Sequence, residues 1–183
     1  MKILVIIPAK TDSTRLKKKN LRELNGKSLV EHSIDYAKAS KHEVEIIVSS
    51  ESDEVREVSL KNNVIFRSRG IELCGDAEVV DVYLDIVANI NATFDLVVGL
   101  QPDNPNRSHT LDECIDYMLK NDYDDLITVN PEYKRSGSVR IFKYNYIKTG
   151  KVSKRLGCIR DNAVDIHYQT DLDKIININI KVN

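Results

Sequence analysis

At 183 residues, with 42% hydrophobic and 30% charged side chains, the chain has the length and composition of one soluble globular domain with a sizeable core. Its 27 basic and 28 acidic residues leave a formal net charge of −1, which disfavours a broadly basic nucleic-acid binder but allows a local basic patch. No apolar run approaches the roughly 20 residues that cross a membrane, and there is no tryptophan for a base-stacking platform.

Residues 1–7 are apolar and rich in β-branched side chains, and Pro8 stops them. Such a run reads as a buried parallel strand and is too short for a signal peptide. The loop over 8–20 carries Lys10, Arg15, Lys17, Lys18 and Lys19, the hydroxyls of Thr11, Ser13 and Thr14, and several free backbone N–H groups. A polyphosphate requires those groups; a solvated basic loop is the plainer alternative. A turn at 24–27 leads to Ser28, which can cap a helix with Leu29, Val30, Ile34 and Ala37 at helical spacing. A strand is predicted over 44–49, a helix over 53–61 behind Ser52, and a short strand over 64–66. A loop with two arginines spans 67–75, and a helix covers about 78–90. The strand over 94–100 ends in the polar turn 101–107; a helix from Thr110 to Lys120 and a strand over 125–129 follow.

The regular alternation implies an α/β fold with a mainly parallel sheet and helices on both faces. Beyond Asn130 the pattern changes: a short polar connection, a strand over 139–144, a basic loop over 148–162, a strand over 163–167, and a tail whose Ile176, Ile178, Ile180 and Val182 alternate with polar residues like a half-buried strand. Cys74, Cys114 and Cys158 fall in no CxxC pair, which argues against zinc or a disulfide framework and for the cytoplasm.

The loops 8–20, 67–75 and 101–107 all leave carboxyl ends of predicted strands, so a parallel sheet brings them to one edge, where a nucleotide can lie. Neither GxxxxGK[ST] nor GxGxxG is present, so Lys and Arg must hold phosphate without a glycine nest, with Lys10 and Arg15 as first candidates. Asp103 stands between Pro102 and Pro105 in a rigid turn, which suits a Mg²⁺ ligand and equally suits an Asx-turn. Asp165 and Asp171 are further carboxylates, and His167 lies beside Asp165.

The opening, Ile7-Pro8-Ala9-Lys10-Thr11-Asp12-Ser13-Thr14-Arg15-Leu16, with Lys19-Asn20-Leu21 and Leu24-Asn25-Gly26-Lys27-Ser28-Leu29, resembles that of the acylneuraminate cytidylyltransferases. These are the synthetases of CMP-sialic acid, related nonulosonic acids and Kdo. Ile46-Ile47-Val48-Ser49-Ser50, the run 100–107, and the run 163–172 resemble further family motifs. The resemblance implies a Rossmann-like nucleotidyltransferase fold, taken as one domain over 1–183, and transfer of CMP from CTP to an acidic 2-keto sugar with release of pyrophosphate. By motif position it implies Lys10, Arg15 and Lys19 as catalytic cations, and Ala9, Lys10, Ser13, Lys19, Asn20 and Arg67 against the nucleotide. Gln101 and Arg107 fall beside the sugar, and Asp103 and Asp165 at Mg²⁺. CTP and an acidic sugar are the implied partners, with a homodimer as the assembly and neither nucleic acid nor membrane.

Four departures accompany it. Lys10 replaces an arginine, and His167 stands at the second metal aspartate. The run 76–80 lacks the family's hydroxyls, and only 130–136 stand where the family inserts a dimerisation arm and part of its sugar pocket. Two other readings remain beside the transferase: a nucleotidyltransferase for another sugar or nucleotide, and a domain that binds nucleotide without turnover.

Overall fold

The computed structural model describes the chain except Asp76, Val152 and Asn183, and leaves the side chains of 177–182 undescribed. Its framework is a seven-stranded sheet built from β1 (Lys2–Pro8), β4 (Glu43–Ser50), β5 (Ile65–Ser68), β6 (Leu96–Gly99), β7 (Asp125–Val129), β8 (Arg135–Lys143) and β9 (Leu156–Arg160). The order is β5-β4-β1-β6-β8-β7-β9. β2 (Glu23–Leu24) and β3 (Lys27–Ser28) form a separate two-stranded hairpin. Pairings within β5-β4-β1-β6 are parallel, β8 runs antiparallel to β6 and β7, and β9 is parallel to β7. The sheet is therefore mainly parallel, as the alternation predicts.

β1 is the strand the sequence marks as buried, and Ile3 to Ile7 have no exposed surface. Side chains alternate across a strand, so Ile3, Val5 and Ile7 face one layer and Leu4 and Ile6 the other. The first layer holds α1 (Leu29–Lys38), α2 (Asp53–Lys61) and α4 (Leu111–Lys120); the second holds α3 (Val79–Asn89) and α5 (Tyr144–Ile147). Burying each of these isoleucines stabilises the fold by about 1.5–3 kcal/mol. Ser28 and Thr110 start α1 and α4 through reciprocal capping boxes with Glu31 and Glu113. Ser52 occupies the corresponding position before α2 but makes no side-chain cap bond.

The C-terminal third departs from expectation in three places. The basic loop predicted over 148–162 contains β9. The stretch 163–167 enters no sheet; its alternate N–H groups bond instead to the turn before α4, Val164 N to Asn106 Oδ1 (2.9 Å) and Ile166 N to the Asp103 carbonyl (2.9 Å). The tail is helix α6 (Gln169–Val182), not a strand. Asp171 Oδ2 accepts the His167 and Tyr168 N–H groups, while Leu172 and Ile175 pack on Leu16, Leu24, Leu29 and Ile166. A helix N-terminus tied down in this way, with apolar residues three apart on a waiting surface, outweighs the alternation of isoleucines. Asp76 and the side chains of Ile178, Ile180 and Val182 lie outside the described residues.

The β7–β8 connection is a tight hairpin. Asn130 N donates to the Lys134 carbonyl (2.8 Å), and Asn130 Oδ1 accepts from Glu132 and Lys134 N. Further along, the register shifts between Ile127 and Thr128, leaving 137–139 as a bulge on β8. Buried Thr128 stitches it: its Oγ1 donates to the Val139 carbonyl and accepts from Val139 N, both at 3.1 Å. From the bulge, Ser138 Oγ donates to Asp161, whose Oδ1 also accepts Ser108 N (2.8 Å) and Ala163 N (3.1 Å). Burial alone would raise the Asp161 carboxyl, but the bonds from Ser138, Ser108 and Ala163 outweigh it and hold it below the usual range.

The Asp161 contribution is therefore present above the ordinary carboxylate value near 3.8 and is lost as pH falls below it. Asp161→Ala should lower the unfolding free energy by about 1–3 kcal/mol at neutral pH in urea titrations, because it orphans buried donors. The gap to wild type should narrow once pH drops below that range; a gap that does not depend on pH contradicts the assignment.

Candidate active site

The cleft begins where β1 ends. Ala9 is buried and its N–H donates to the Ser49 carbonyl (2.9 Å), extending the β1–β4 pairing one residue into the loop. Two side chains then hold the loop from beneath. Asn20, buried on the 3-10 turn Lys19–Leu21, donates through Nδ2 to the Lys10 carbonyl (2.8 Å). Glu51 accepts both Thr11 N (2.6 Å) and Thr11 Oγ1 (2.7 Å). Burial pushes the Glu51 carboxyl up, but these two bonds prevail and keep it below its usual range.

Two adjoining cavities form the cleft and share Lys10, Ser13, Lys19 and Gly75 in their walls. The outer one, about 210 Å³, is completed by Asp12, Thr14, Arg15 and His167. The inner one, about 110 Å³, is completed by Asn20, Arg69, Gln101 and Asp103, with Val79 and Val82 of α3 as its apolar wall. Lys10 Nζ donates to the Gly75 carbonyl (3.0 Å) and lies 3.7 Å from Asp12, so it ties the 8–20 loop to the 70–75 loop. Arg15 stacks over the Tyr168 ring, 5.9 Å from its centroid.

Carboxylates face these cations. Lys19 Nζ sits 2.5 Å from Asp103 Oδ2, with the two side chains only 13% and 15% exposed. The Ile166–Asp103 backbone bond brings Asp165 to the same place. Asp165 stands at the mouth with its side chain half exposed, and His167 Nε2 lies 3.1 Å from its Oδ2. Partial burial and the Asp103 charge push the Asp165 carboxyl above the usual range, against the pull of His167, Lys19 and Arg15. Two carboxylates from different loops suit a Mg²⁺ ion that takes its remaining ligands from phosphate and water. Among the described residues no three His, Cys, Asp or Glu side chains group into a metal cage, so phosphate oxygens would have to complete the set.

The cleft thus gathers Lys10, Ser13, Arg15, Lys19, Asn20, Gln101 and Asp103 from the sequence-derived set, with Ala9 buried behind the loop and Asp165 beside His167 at the mouth. Gln101 lies flat against β8, where Gly137 leaves it room: a Cβ there would fall 2.3 Å from Gln101 Cδ. Two residues of the set are elsewhere. Arg67 is still within β5 and pairs with Asp85 of α3 (3.3 Å), away from the cavities. Arg69, just past the strand end, turns inward instead; its Nη2 donates to the Ser49 carbonyl (2.7 Å), and its buried Nε has no partner among the described residues. The sequence offered both arginines, and only the point where β5 stops separates them.

Arg107 is the second correction. It turns under the 101–107 turn, donating from Nε to the Ser138 carbonyl (2.9 Å) and from Nη2 to the Gln101 carbonyl (2.8 Å). The guanidinium stacks on Tyr36, 4.7 Å from the ring centroid. It clamps the turn to β8 and α1, and does not line the cleft.

The comparisons with known proteins agree with this architecture. The family model described as Cytidylyltransferase matches residues 4–167, and the chain belongs to that family. The chain is 35% identical over 112 residues to the CMP-N,N'-diacetyllegionaminic acid synthase of Legionella pneumophila, covering 58% of this chain and 48% of that protein. It is 31% identical over 141 residues to an N-acylneuraminate cytidylyltransferase of Streptococcus agalactiae, covering 75% and 34%. The matches thus span about a third to a half of these relatives' length. A solved CMP:2-keto-3-deoxy-manno-octonic acid synthetase, complexed with CTP, superposes with a TM-score of 0.77 at 14% identity over the full length of both chains. A cytidylyltransferase of Leptospira borgpetersenii gives 0.68 at 19% identity, covering 100% of this chain and 96% of that one. At such identities the superpositions speak for the fold.

Arg107→Ala should cost about 1.5–3 kcal/mol of stability by urea unfolding, since it removes charge-assisted bonds to two partly buried backbone carbonyls. An Arg107→Ala protein of unchanged stability would mean that the arginine serves ligand and not fold.

Proposed function

We propose that the cleft binds CTP and that the protein transfers CMP to the anomeric hydroxyl of an acidic 2-keto sugar of the nonulosonic class, releasing pyrophosphate. The observation that carries this reading is the gathering of Lys10, Arg15 and Lys19 against Asp103, with Asp165 beside His167 at the mouth, at the carboxyl edge of the sheet. The relatives' names supply the nucleotide and the sugar class.

In this transfer the sugar oxygen forms a bond to the α-phosphorus as the bond to pyrophosphate breaks, and the hydroxyl proton leaves to solvent. Little covalent chemistry falls to the protein, so positioning and charge neutralisation carry the rate. In this reading Lys10 and Arg15, which line the outer cavity, neutralise the departing pyrophosphate. Arg69, whose Nε has no partner among the described residues, is the buried cation of the inner cavity, and Gln101 is a polar member of its lining beside the apolar Val79 and Val82. Asp103 and Asp165 would hold Mg²⁺, which when bound neutralises charge on the phosphate oxygens. The tight hairpin at 130–134 favours one competing reading, nucleotide binding without turnover, because it stands where the resemblance leads one to expect part of a sugar pocket.

Pyrophosphate release from CTP, with nonulosonic acids of the relatives' kinds offered singly, tests the reading. Turnover with at least one acid and with CTP in preference to UTP is expected. Measurable CTP binding with no release for any acid would favour the binding domain. Arg69→Ala should weaken CTP binding by about 1.5–3 kcal/mol, the worth of a charge-assisted bond, whereas Arg67→Ala should leave it unchanged. Equal losses in the two variants contradict the placement of Arg69.

A further inference from the structure

Lys19 does not rest against solvent. Its ammonium lies 2.5 Å from Asp103 Oδ2, in a pair whose side chains are seven-eighths covered, and the Ile166 N–H bond to the Asp103 carbonyl (2.9 Å) brings the neighbouring Asp165 to the same edge of the cleft. The lysine therefore occupies, on Asp103, a place that a metal cation would take. We propose that Lys19 is a resident counter-ion of the Asp103–Asp165 pair, which a nucleoside triphosphate must draw off before a divalent cation can be held, so that nucleotide and metal enter in that order. The inference rests on the nucleotide reading above.

Three observations support it. The first is charge balance: Lys10, Arg15, Lys19 and Arg69 offset Asp12 and Asp103 in the cavity walls and Asp165 at the mouth, so the ligand-free site offers little net attraction to a divalent ion. The second is ligand count. No three His, Cys, Asp or Glu side chains group for a metal among the described residues, so phosphate oxygens would have to supply what the two carboxylates lack.

The third is reach. Lys19 lines both cavities, and its ammonium is a compact charge on a flexible four-carbon stem. The backbone beneath it is fixed by the Asn20–Lys10 bond, so the side chain alone can swing from carboxylate to phosphate. In the exchange Lys19 trades a carboxylate oxygen for a phosphate oxygen, and Asp103 trades an ammonium for the metal. Every charge stays paired at both ends, whereas a metal arriving first would have to expel an ammonium with no phosphate to receive it.

The test is Mn²⁺ binding to the full chain, followed by electron paramagnetic resonance without nucleotide, beside CTP titration of the same wild-type sample. Wild type should bind Mn²⁺ weakly and gain affinity when CTP is added. Lys19→Met and Lys19→Gln, each confirmed folded by its unfolding midpoint, should bind Mn²⁺ at least about tenfold tighter than wild type with no nucleotide present. Lys19→Arg, which keeps the charge, should stay weak, and Lys19→Met with Asp103→Asn should lose the gain.

If neither uncharged variant gains Mn²⁺ affinity, or if the gain survives Asp103→Asn, the counter-ion role is overturned even when wild type binds CTP normally. If the variants gain as expected but wild type binds no CTP, the nucleotide reading fails and the order of entry falls with it.

Discussion

A strand with no free edge sets the position of everything in the cleft. β1 is hydrogen-bonded on both sides, to β4 and β6, and covered on both faces, so its carboxyl end cannot shift without breaking two ladders and opening two cores. Ala9 carries that rigidity one residue into the loop, and Asn20 and Glu51 carry it further by holding the Lys10 carbonyl and Thr11. A loop rich in lysine would otherwise be driven apart by its own charge. Here the backbone is fixed first, and the ammonium groups are left free to choose their partners.

The opposite wall is fixed by a different device. The bulge on β8, stitched by Thr128, lets Gln101 lie against Gly137, receives Arg107 at the Ser138 carbonyl, and reaches Asp161 through the Ser138 hydroxyl. Asp161 in turn holds the start of the segment that carries Asp165. The polar wall and the carboxylate at the mouth thus depend on one irregularity in one antiparallel strand, in keeping with the habit of bulges to sit beside functional sites. Between the two walls, Lys19 and Asp103 close the charge balance. Burial strengthens their attraction and also makes it costly to leave either alone, so any ligand that takes one of them must bring a replacement for the other.

Most of the sheet was legible because its signals are local. The apolar run of β1, the capping residues Ser28 and Thr110, and the regular alternation up to Val129 each follow from a few neighbouring side chains. What could not be read depends on distant partners. β9 hides in a basic stretch because its ladder comes from β7, and α6 hides in a strand-like alternation because its docking surface is assembled from Leu16, Leu24, Leu29 and Ile166. The site divides in the same way. Lys10 and Asp103 were visible from residue type and loop position and Lys19 only through the family resemblance, whereas Arg67 and Arg69 differ only in which one falls past the end of β5. Arg107 was assigned to the sugar from the resemblance of the run 100–107; Ser138 and Tyr36, about thirty and seventy residues away, hold it inside.

The most direct measurement of the central claim is a calorimetric titration of the protein with CTP, UTP, ATP and GTP, each with and without Mg²⁺. The account predicts that CTP binds in preference to the other three and that Mg²⁺ strengthens it, because the carboxylates can hold the metal only with phosphate oxygens present. Equal binding of all four nucleotides, or no binding of any, would contradict it.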